Sequence, residues 1–241
     1  WTDIEHDAYR ADEKLPEPTA CQDCGAVYHK GRWQWAAAPA DAHKTRCPAC
    51  RRIHDDFPAG YVSISGEFLN AHRAETVVDA GCGTGLVGEL LRADARHLVG
   101  VDMSEPMLAE ARLKNVYDEL HQADLSAYLN GHPQSCDVIV SAATLIHFGD
   151  LDPVFEAAAR CLRANGLFVF TAFPNDDDAD AVAIGTLNGL AQGGCFRHGE
   201  NYIRGMAAKH GFEVELLRRE AHEYARQAPI TGLVVALRRA G

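Results

Sequence analysis

The sequence has no uninterrupted apolar run of about 18 or more residues, so it offers no segment that could cross a bilayer as a helix. Aromatic residues make up only 8% of the chain, and 23 Lys and Arg stand against 34 Asp and Glu. The resulting net charge of −11 excludes the broad positive field that non-specific nucleic-acid binding requires. Residues 1–20 are polar and acidic, so no secretory signal peptide is expected there.

Cysteine is also too sparse for a disulfide-stabilised secreted protein, with 8 residues in a chain of 241. The cysteines are unevenly distributed along the sequence. Two C-x2-C motifs come first, and four scattered cysteines follow, namely Cys82, Cys136, Cys161 and Cys195. This usage is typical of a reducing compartment, where single thiols serve as small buried residues. We therefore expect a cytoplasmic protein.

The two C-x2-C motifs predict a metal site. Two thiolates separated by two residues on a tight turn can bind one ion, and a second such turn completes a tetrahedral sulfur site that suits Zn2+. The predicted ligands are Cys21, Cys24, Cys47 and Cys50. Four thiolates leave no open coordination position, so we expect a structural zinc that supplies folding energy to a small domain. The alternative is a redox dithiol or four unrelated thiols.

Basic and aromatic residues are interleaved around these motifs, including Arg32, Trp33 and Trp35. Such a surface can contact nucleic acid through phosphates and stacking, and this leaves nucleic-acid or protein binding open. The alternative is that the tryptophans pack a small core while the basic residues offset the negative charge of the acidic N-terminal residues 1–20. The stretches Cys21-Gln-Asp-Cys-Gly, Cys47-Pro-Ala-Cys-Arg-Arg-Ile and Phe57-Pro-Ala-Gly-Tyr-Val resemble a small bacterial zinc-ribbon family of uncharacterised function. That resemblance supports zinc and implies no activity.

From residue 76 onward, short apolar runs alternate with helical patterns. The candidate strands are 76–80, 97–101, 136–141 and 166–173, and the candidate helices are 84–93, 105–115 and 151–163. This alternation predicts an α/β fold with a doubly wound, Rossmann-like parallel sheet. Two successive strand patterns near the end, 212–218 and 230–238, predict an antiparallel hairpin at the sheet edge. We expect two domains, a zinc ribbon with an N-terminal arm at 1–75 and the α/β domain at 76–241.

The first strand of the α/β domain leads into a glycine-rich turn, in the stretch Thr76-Val-Val-Asp79-Ala-Gly81-Cys-Gly83-Thr-Gly85. Glycines allow the backbone to approach a ligand closely. The third glycine comes one residue earlier than in the dinucleotide fingerprint, which disfavours a dinucleotide oxidoreductase. The second strand ends at Asp102, whose carboxylate can accept hydrogen bonds from both ribose hydroxyls.

This pattern resembles motif I of class I S-adenosylmethionine-dependent methyltransferases, and the resemblance extends over residues 76–241. Its last part, from Gly193 to Arg238, is similar to methyltransferases that occur alongside TPR repeats, although the chain shows no such repeat. The resemblance implies that S-adenosylmethionine is bound, with an acid at each of three successive strand ends. The implied donor-binding residues are Asp79, Gly81, Cys82, Gly83, Gly85, Asp102, Met103, Met107, Asp124, Leu125 and Ser141. The alternative is that these acids cap helices in an unrelated doubly wound fold.

The loop after the predicted fourth strand is where methyl donor and acceptor meet in the resembling family. Its sequence, Ser141-Ala-Ala-Thr144-Leu, lacks the Asn/Asp-Pro-Pro-Tyr/Phe motif of adenine and glutamine methylation, which disfavours that class. His147 follows and is the candidate general base, because an imidazole titrates near neutrality. The alternative is that His147 only lines the donor pocket. Arg197 and His198 could hold an anionic group of the substrate or could stabilise their own loop.

These observations predict a methyltransferase that acts on a small-molecule acceptor, or on one delivered by the ribbon, and that has no membrane partner. The alternative function is a zinc-ribbon module that binds protein or nucleic acid and carries a non-catalytic methyltransferase-like domain. Turnover of a candidate acceptor discriminates the two, because only the first function produces a methylated product.

Overall fold

The computed structural model describes residues 15–21, 27–29, 32–34, 38–45, 74–187, 190–225 and 228–241. The chain divides into two compact units, Trp1–Phe57 and Pro58–Gly241. The division that the sequence predicts, after residue 75, lies further along the chain, within the second unit.

The first unit contains a four-stranded sheet in the order β3-β2-β1-β4. The strands are β1 Thr19–Cys21, β2 Val27–His29, β3 Arg32–Gln34 and β4 His43–Thr45. Strand β1 runs antiparallel to β2 and parallel to β4, and Cys21 is the partner of Thr45 in the β1–β4 register. Of the four predicted zinc ligands, Cys24, Cys47 and Cys50 lie outside the described residues. Within the described ranges, no three His, Cys, Asp or Glu side chains form a group that could hold a metal ion.

The second unit is built around a sheet of nine strands. Its strands are β5 Ala74–Ala80, β6 Ala95–Asp102, β7 Glu119–Gln122, β8 Cys136–Ser141, β9 Leu162–Pro174, β10 Val182–Leu187, β11 Leu190–His198, β12 Phe212–Ala225 and β13 Ala228–Arg239. The helices described in this unit are α1 Leu86–Leu91, α2 Glu105–Lys114, α3 Leu125–Gly131, α4 Asp152–Cys161 and α5 Glu200–Lys209, and a 3-10 turn spans Leu145–His147. None of these helices is long and apolar enough to span a membrane.

The sheet is mixed. Strands β7, β6, β5, β8 and β9 are neighbours in that order and are all parallel. Strand β13 then pairs antiparallel with β9 and with β12, which forms the outer strand on this side. Strands β10 and β11 form an antiparallel pair that joins only the last two residues of β9, Phe173 and Pro174. The α/β Rossmann-like architecture that the sequence predicts is therefore confirmed, and the C-terminal strand patterns lie within β12 and β13.

Both faces of the sheet are covered because successive residues of its central strands are apolar. Val78, Ile139 and Phe168 belong to one core cluster, which includes residues of α3, α4 and α5. Their chain neighbours Val77 and Val138 belong to a second cluster, which includes Leu91 of α1. Alternate residues of a strand point to opposite faces, so continuous apolar runs produce a sheet buried on both sides.

The sequence pattern missed several elements. The four predicted strands lie within β5, β6, β8 and β9, but β7, β10, β11, α3 and α5 were not predicted. Strand β7 has the sequence Glu-Leu-His-Gln and lies at the sheet edge, so it lacks the apolar run on which the prediction depended. The predicted helix 151–163 ends earlier than expected, because Leu162 and Arg163 already belong to β9.

Candidate functional site

Three acids lie at the same edge of the sheet. Asp79 is the penultimate residue of β5, Asp102 is the last residue of β6, and Asp124 comes two residues after β7 ends. Strands β5, β6 and β7 are adjacent and parallel, so their carboxyl ends meet along one edge. In open α/β sheets this edge is where ligands bind.

The glycine loop between β5 and α1 depends on left-handed backbone conformations. Gly81, Gly83 and Gly85 have φ angles of 83°, 53° and 83°, which side chains rarely adopt without strain. A Cβ atom at Gly81 would lie 2.2 Å from the Oγ1 of Thr144, whereas no heavy atom lies within 4 Å of a Cβ placed at Gly83. The loop is therefore tightly packed at its first glycine and open at its second.

Asp102 connects the glycine loop to the end of β6. Its Oδ2 accepts a hydrogen bond of 2.9 Å from the Gly83 N–H, and its Oδ1 accepts one of 2.8 Å from the Ser104 N–H. Ser104 caps α2, because its side chain accepts a bond from the Met107 N–H. Each carboxylate oxygen has a second lone pair, so Asp102 can accept further bonds from a pair of ligand hydroxyls. The neighbouring Met103 side chain is 69% exposed.

Asp79 is the most unusual group of the site. It is only 1% exposed, and its Oδ2 accepts a bond of 2.6 Å from the Tyr117 hydroxyl. Its Oδ1 is buried and has no hydrogen-bond partner among the described residues. Burial raises the pKa of Asp79 to about 7, the Tyr117 bond opposes this rise, and the nearby Asp102 charge adds to it. A buried carboxylate oxygen without a partner is costly, and a cationic ligand group would relieve that cost.

Three other predicted donor-binding residues have structural roles that the geometry explains. Asp124 is exposed and caps α3, because its Oδ1 accepts a bond of 2.9 Å from the Ala127 N–H. Leu125 is buried in the core beside it. Cys82 is buried, and both burial and the charges of Asp79 and Asp102 raise the pKa of its thiol, so it stays protonated. That protonation agrees with treating Cys82 as a small loop residue and not as a nucleophile.

The segment after β8 is tied to the glycine loop. Ser141 donates a hydrogen bond of 2.8 Å to the Ala80 carbonyl. The Thr144 hydroxyl lies 3.3 Å from the Gly81 carbonyl and 3.1 Å from the Ala142 carbonyl, and it shares its proton between these two acceptors. Ala143 between Ser141 and Thr144 has a φ of 52°, and its N–H donates to the Thr171 hydroxyl at 3.1 Å. Left-handed non-glycine residues are costly and concentrate at functional sites.

The 3-10 turn Leu145–His147 continues directly from this segment, and it presents His147 as an exposed side chain. His147 thus lies three residues after Thr144, which touches the glycine loop. The structure therefore places the candidate base on a turn that follows directly from a segment fastened to that loop.

His198 does not hold a substrate anion. It is fully buried, and its Nε2 donates a hydrogen bond of 2.7 Å to the Phe148 carbonyl. Burial lowers the pKa of His198, so its imidazole is neutral. The structure supports the alternative that His198 stabilises its loop, here by joining β11 to the end of the 3-10 turn.

Sequence reasoning missed two contributors to the site. Tyr117 lies in the short connection between α2 and β7, and no motif marks it. Thr171 lies inside β9, where the sequence shows only an apolar strand. Both side chains act through contacts with residues distant in sequence, at 38 positions for Tyr117 and Asp79 and 28 for Thr171 and Ala143. Local patterns carry no signal for such pairs.

Comparison with known proteins agrees with this geometry. Residues 78–170 match the family model described as a methyltransferase domain. This segment is therefore similar to methyltransferase domains. One similar solved structure is the crystal structure of 1,6-didemethyltoxoflavin-N1-methyltransferase from Burkholderia thailandensis, with bound 1,6-didemethyltoxoflavin and S-adenosylhomocysteine. The superposition covers 80% of the present chain and 83% of the Burkholderia chain, with a TM-score of 0.62 and 18% sequence identity. At that identity, the likeness shows the fold alone.

Curated relatives of the domain include O-methyltransferases. The ubiquinone biosynthesis O-methyltransferase of Sodalis glossinidius is 29% identical over 114 residues, which are 46% of this chain and 46% of the relative. The malonyl-[acyl-carrier protein] O-methyltransferase of Enterobacter lignolyticus is 32% identical over 108 residues, which are 45% of this chain and 43% of the relative. The chain thus spans less than half the length of these two relatives.

Proposed function

We propose that the protein is an S-adenosylmethionine-dependent methyltransferase that acts on a small-molecule acceptor. The observation that carries this proposal is the buried carboxylate oxygen of Asp79, just before the glycine loop, which has no hydrogen-bond partner in the part of the chain that the structure describes. A buried anion with no described partner at that oxygen suits a ligand with a cationic end, and S-adenosylmethionine carries both an ammonium and a sulfonium group. A dinucleotide pyrophosphate would instead be repelled by Asp79.

The residues present fit this donor. Asp102 would accept hydrogen bonds from the ribose hydroxyls, and Asp79 would face the methionine end of the donor. The open space beside Gly83 would admit the ligand. The remaining donor-contacting residues would be Gly81, Cys82, Gly85, Met103, Met107, Asp124, Leu125 and Ser141. S-adenosylmethionine supplies an electrophilic methyl group when bound. Methyl transfer depends mainly on in-line positioning of the acceptor.

We infer that the acceptor atom is oxygen, because the curated relatives named above are O-methyltransferases. His147 would then act as the general base that accepts the hydroxyl proton. The alternative function, a binding module with a non-catalytic domain, requires donor binding without turnover. Mass spectrometry of the nucleoside that co-purifies with the protein, followed by product assays with phenolic and carboxylic acceptors, tests these functions in turn.

The Asp102→Ala variant is expected to bind S-adenosylhomocysteine about 10–150 times more weakly than wild type, since a charge-assisted hydrogen bond contributes roughly 1.5–3 kcal/mol. Titration calorimetry measures the change. The Asp177→Ala variant is a matched control, because it removes the same charge from an exposed loop. If Asp102→Ala binds as tightly as wild type while retaining its fold, the ribose site has been assigned to the wrong residue.

We also propose that the first unit is a zinc ribbon with Cys21, Cys24, Cys47 and Cys50 as ligands. In support, the parallel pairing of β1 and β4 places Cys21 beside Thr45, two residues before Cys47. Contact of this ribbon with nucleic acid or protein, similarity to TPR-associated methyltransferases and a cytoplasmic location stay predictions.

The zinc proposal predicts about one zinc ion per freshly purified chain. The Cys47→Ser variant should lose the ion and unfold the first unit, because the metal supplies its folding energy. Metal analysis by mass spectrometry gives the stoichiometry, and Cys195→Ser serves as the thiol control. Protein purified without chelators that contains no zinc would contradict the assignment.

A further inference from the structure

Tyr117 occupies a slot formed by three glycines. A Cβ at Gly88 in α1 would lie 2.2 Å from the Tyr117 hydroxyl oxygen, and Cβ atoms at Gly85 and Gly100 would each lie 3.0 Å from its ring. These glycines come from the glycine loop, α1 and β6. Their missing side chains therefore create the space that the tyrosine ring fills, and the ring packs against the backbone that supports the loop.

The Tyr117 hydroxyl reaches through this slot to Asp79. The bond to Asp79 Oδ2 is 2.6 Å long, within the range of a hydroxyl that donates to a carboxylate. Burial raises the pKa of Tyr117 above its usual value, and the Asp79 charge adds to the rise, so the hydroxyl keeps its proton and acts only as a donor here. The bond therefore strengthens when Asp79 is ionised.

Among the described residues, few other groups around Asp79 can take over this role. Asp102 on β6 disfavours the negative charge of Asp79. The Cys82 thiol, whose pKa is raised by burial and by the charge of Asp79, stays protonated and neutral. On the β8 side, the Ser141 hydroxyl already donates to the Ala80 carbonyl. Beside Gly85, the Lys114 ammonium pairs with Glu89 at 2.7 Å.

We propose that Tyr117 is a positioning residue for the methyl donor: its hydroxyl holds Asp79 as the oriented anion that meets the donor's cationic end, and its ring sets the glycine loop. This inference rests on the proposed function. It assigns a role to a residue outside the glycine-rich motif, and it explains why Gly88 has no side chain, since a Cβ there would clash with the Tyr117 hydroxyl.

The test measures S-adenosylhomocysteine affinity by calorimetry between pH 6 and 9 for wild type and Tyr117→Phe, which keeps the ring and removes the hydroxyl. Wild-type affinity should weaken as the pH falls through the titration of Asp79. In Tyr117→Phe this pH-dependent weakening should begin at a higher pH than in wild type. The Kd of the variant should therefore be roughly 3–10-fold higher than that of wild type at pH 7, as expected for the loss of one hydrogen bond. At pH 9 the two Kd values should converge.

Three variants give the readout its controls. The affinity of Asp79→Asn should not weaken as the pH falls, and adding Tyr117→Phe to this variant should not change its affinity further. Tyr117→Leu removes the ring and should weaken binding at every pH. Tyr128→Phe alters another buried tyrosine, outside the site, and should match wild type.

Two outcomes would overturn the proposal, and they differ. Suppose that wild type binds the ligand, and that the affinity of Tyr117→Phe either depends on pH as in wild type or is weakened equally at every pH. The hydroxyl then has no positioning role, and the proposed function stands. If folded wild type binds neither S-adenosylmethionine nor S-adenosylhomocysteine at any pH, the proposed function fails together with the role of Tyr117.

Discussion

The Asp79→Asn variant is expected to gain stability relative to wild type as the pH rises from about 4 to 8. Burial raises the pKa of Asp79 from 3.8 to about 7 in the folded protein, so the folded state holds this proton more tightly than the unfolded state. The neutral acid therefore contributes stability that is complete below pH 3.8 and is lost as the pH rises to about 7. The relative gain should reach on the order of 4 kcal/mol, because one pKa unit corresponds to about 1.4 kcal/mol.

Denaturant unfolding of both proteins without ligand at several pH values measures this gain. The difference between variant and wild type is the useful quantity, because other groups oppose the trend. Asp152, for example, has its pKa lowered by Lys209 and His210, so it stabilises the fold as the pH rises. Asp177→Asn, in an exposed loop, should show no pH-dependent difference from wild type. A constant difference between Asp79→Asn and wild type across this range would show that Asp79 is not a buried acid with a raised pKa.

The His147→Ala variant is expected to lose about 10²–10⁴-fold in turnover with an oxygen acceptor, the usual contribution of a general base. Donor affinity should change little, because Asp79 and Asp102 are untouched. Turnover measured at saturating acceptor, with donor binding measured separately by calorimetry, checks both expectations.

His97→Ala is the matched imidazole control, since His97 lies near the start of β6, at the opposite end of the strand from Asp102. It should retain wild-type turnover. A parallel loss of donor affinity and turnover in His147→Ala would assign His147 to the lining of the donor pocket. Before an acceptor is identified, the rate of slow donor hydrolysis in wild type and variant provides a proxy.

The elements that the sequence predicted share strong local patterns. The central residues of strands β5 and β8 are apolar because both faces of the sheet are buried there, so hydrophobicity indicates where these strands lie. The glycine loop is equally local, because three closely spaced residues need left-handed backbone that glycine adopts most readily. Ser104 at the start of α2 is a standard N-cap, and its bond to the Met107 N–H spans only three residues.

The elements that escaped prediction depend on their neighbours. Strand β7 forms because it completes the edge beside β6, with Asp102 paired to Gln122, although its own sequence is mostly polar. Strand β11 joins β9 at only two residues, and its position is further fixed by the buried bond from His198 to the Phe148 carbonyl. The sequence left open whether His198 holds a substrate anion or stabilises its loop, because burial is not visible in a short polar motif, and the buried bond to the Phe148 carbonyl supports the second alternative.

The sequence by itself determined which residues reach the carboxyl edge of the sheet, because strand ends and glycine turns follow from local hydrophobic and backbone patterns. Only the tertiary structure decided what those residues do there. It buried Asp79, left one of its oxygens without a hydrogen-bond partner among the residues that the structure describes, and brought the Tyr117 hydroxyl to the other oxygen across 38 positions of chain. Charge and hydrogen bonding depend on distance in space and on exclusion of water, and neither quantity is encoded in the spacing of residues along the chain.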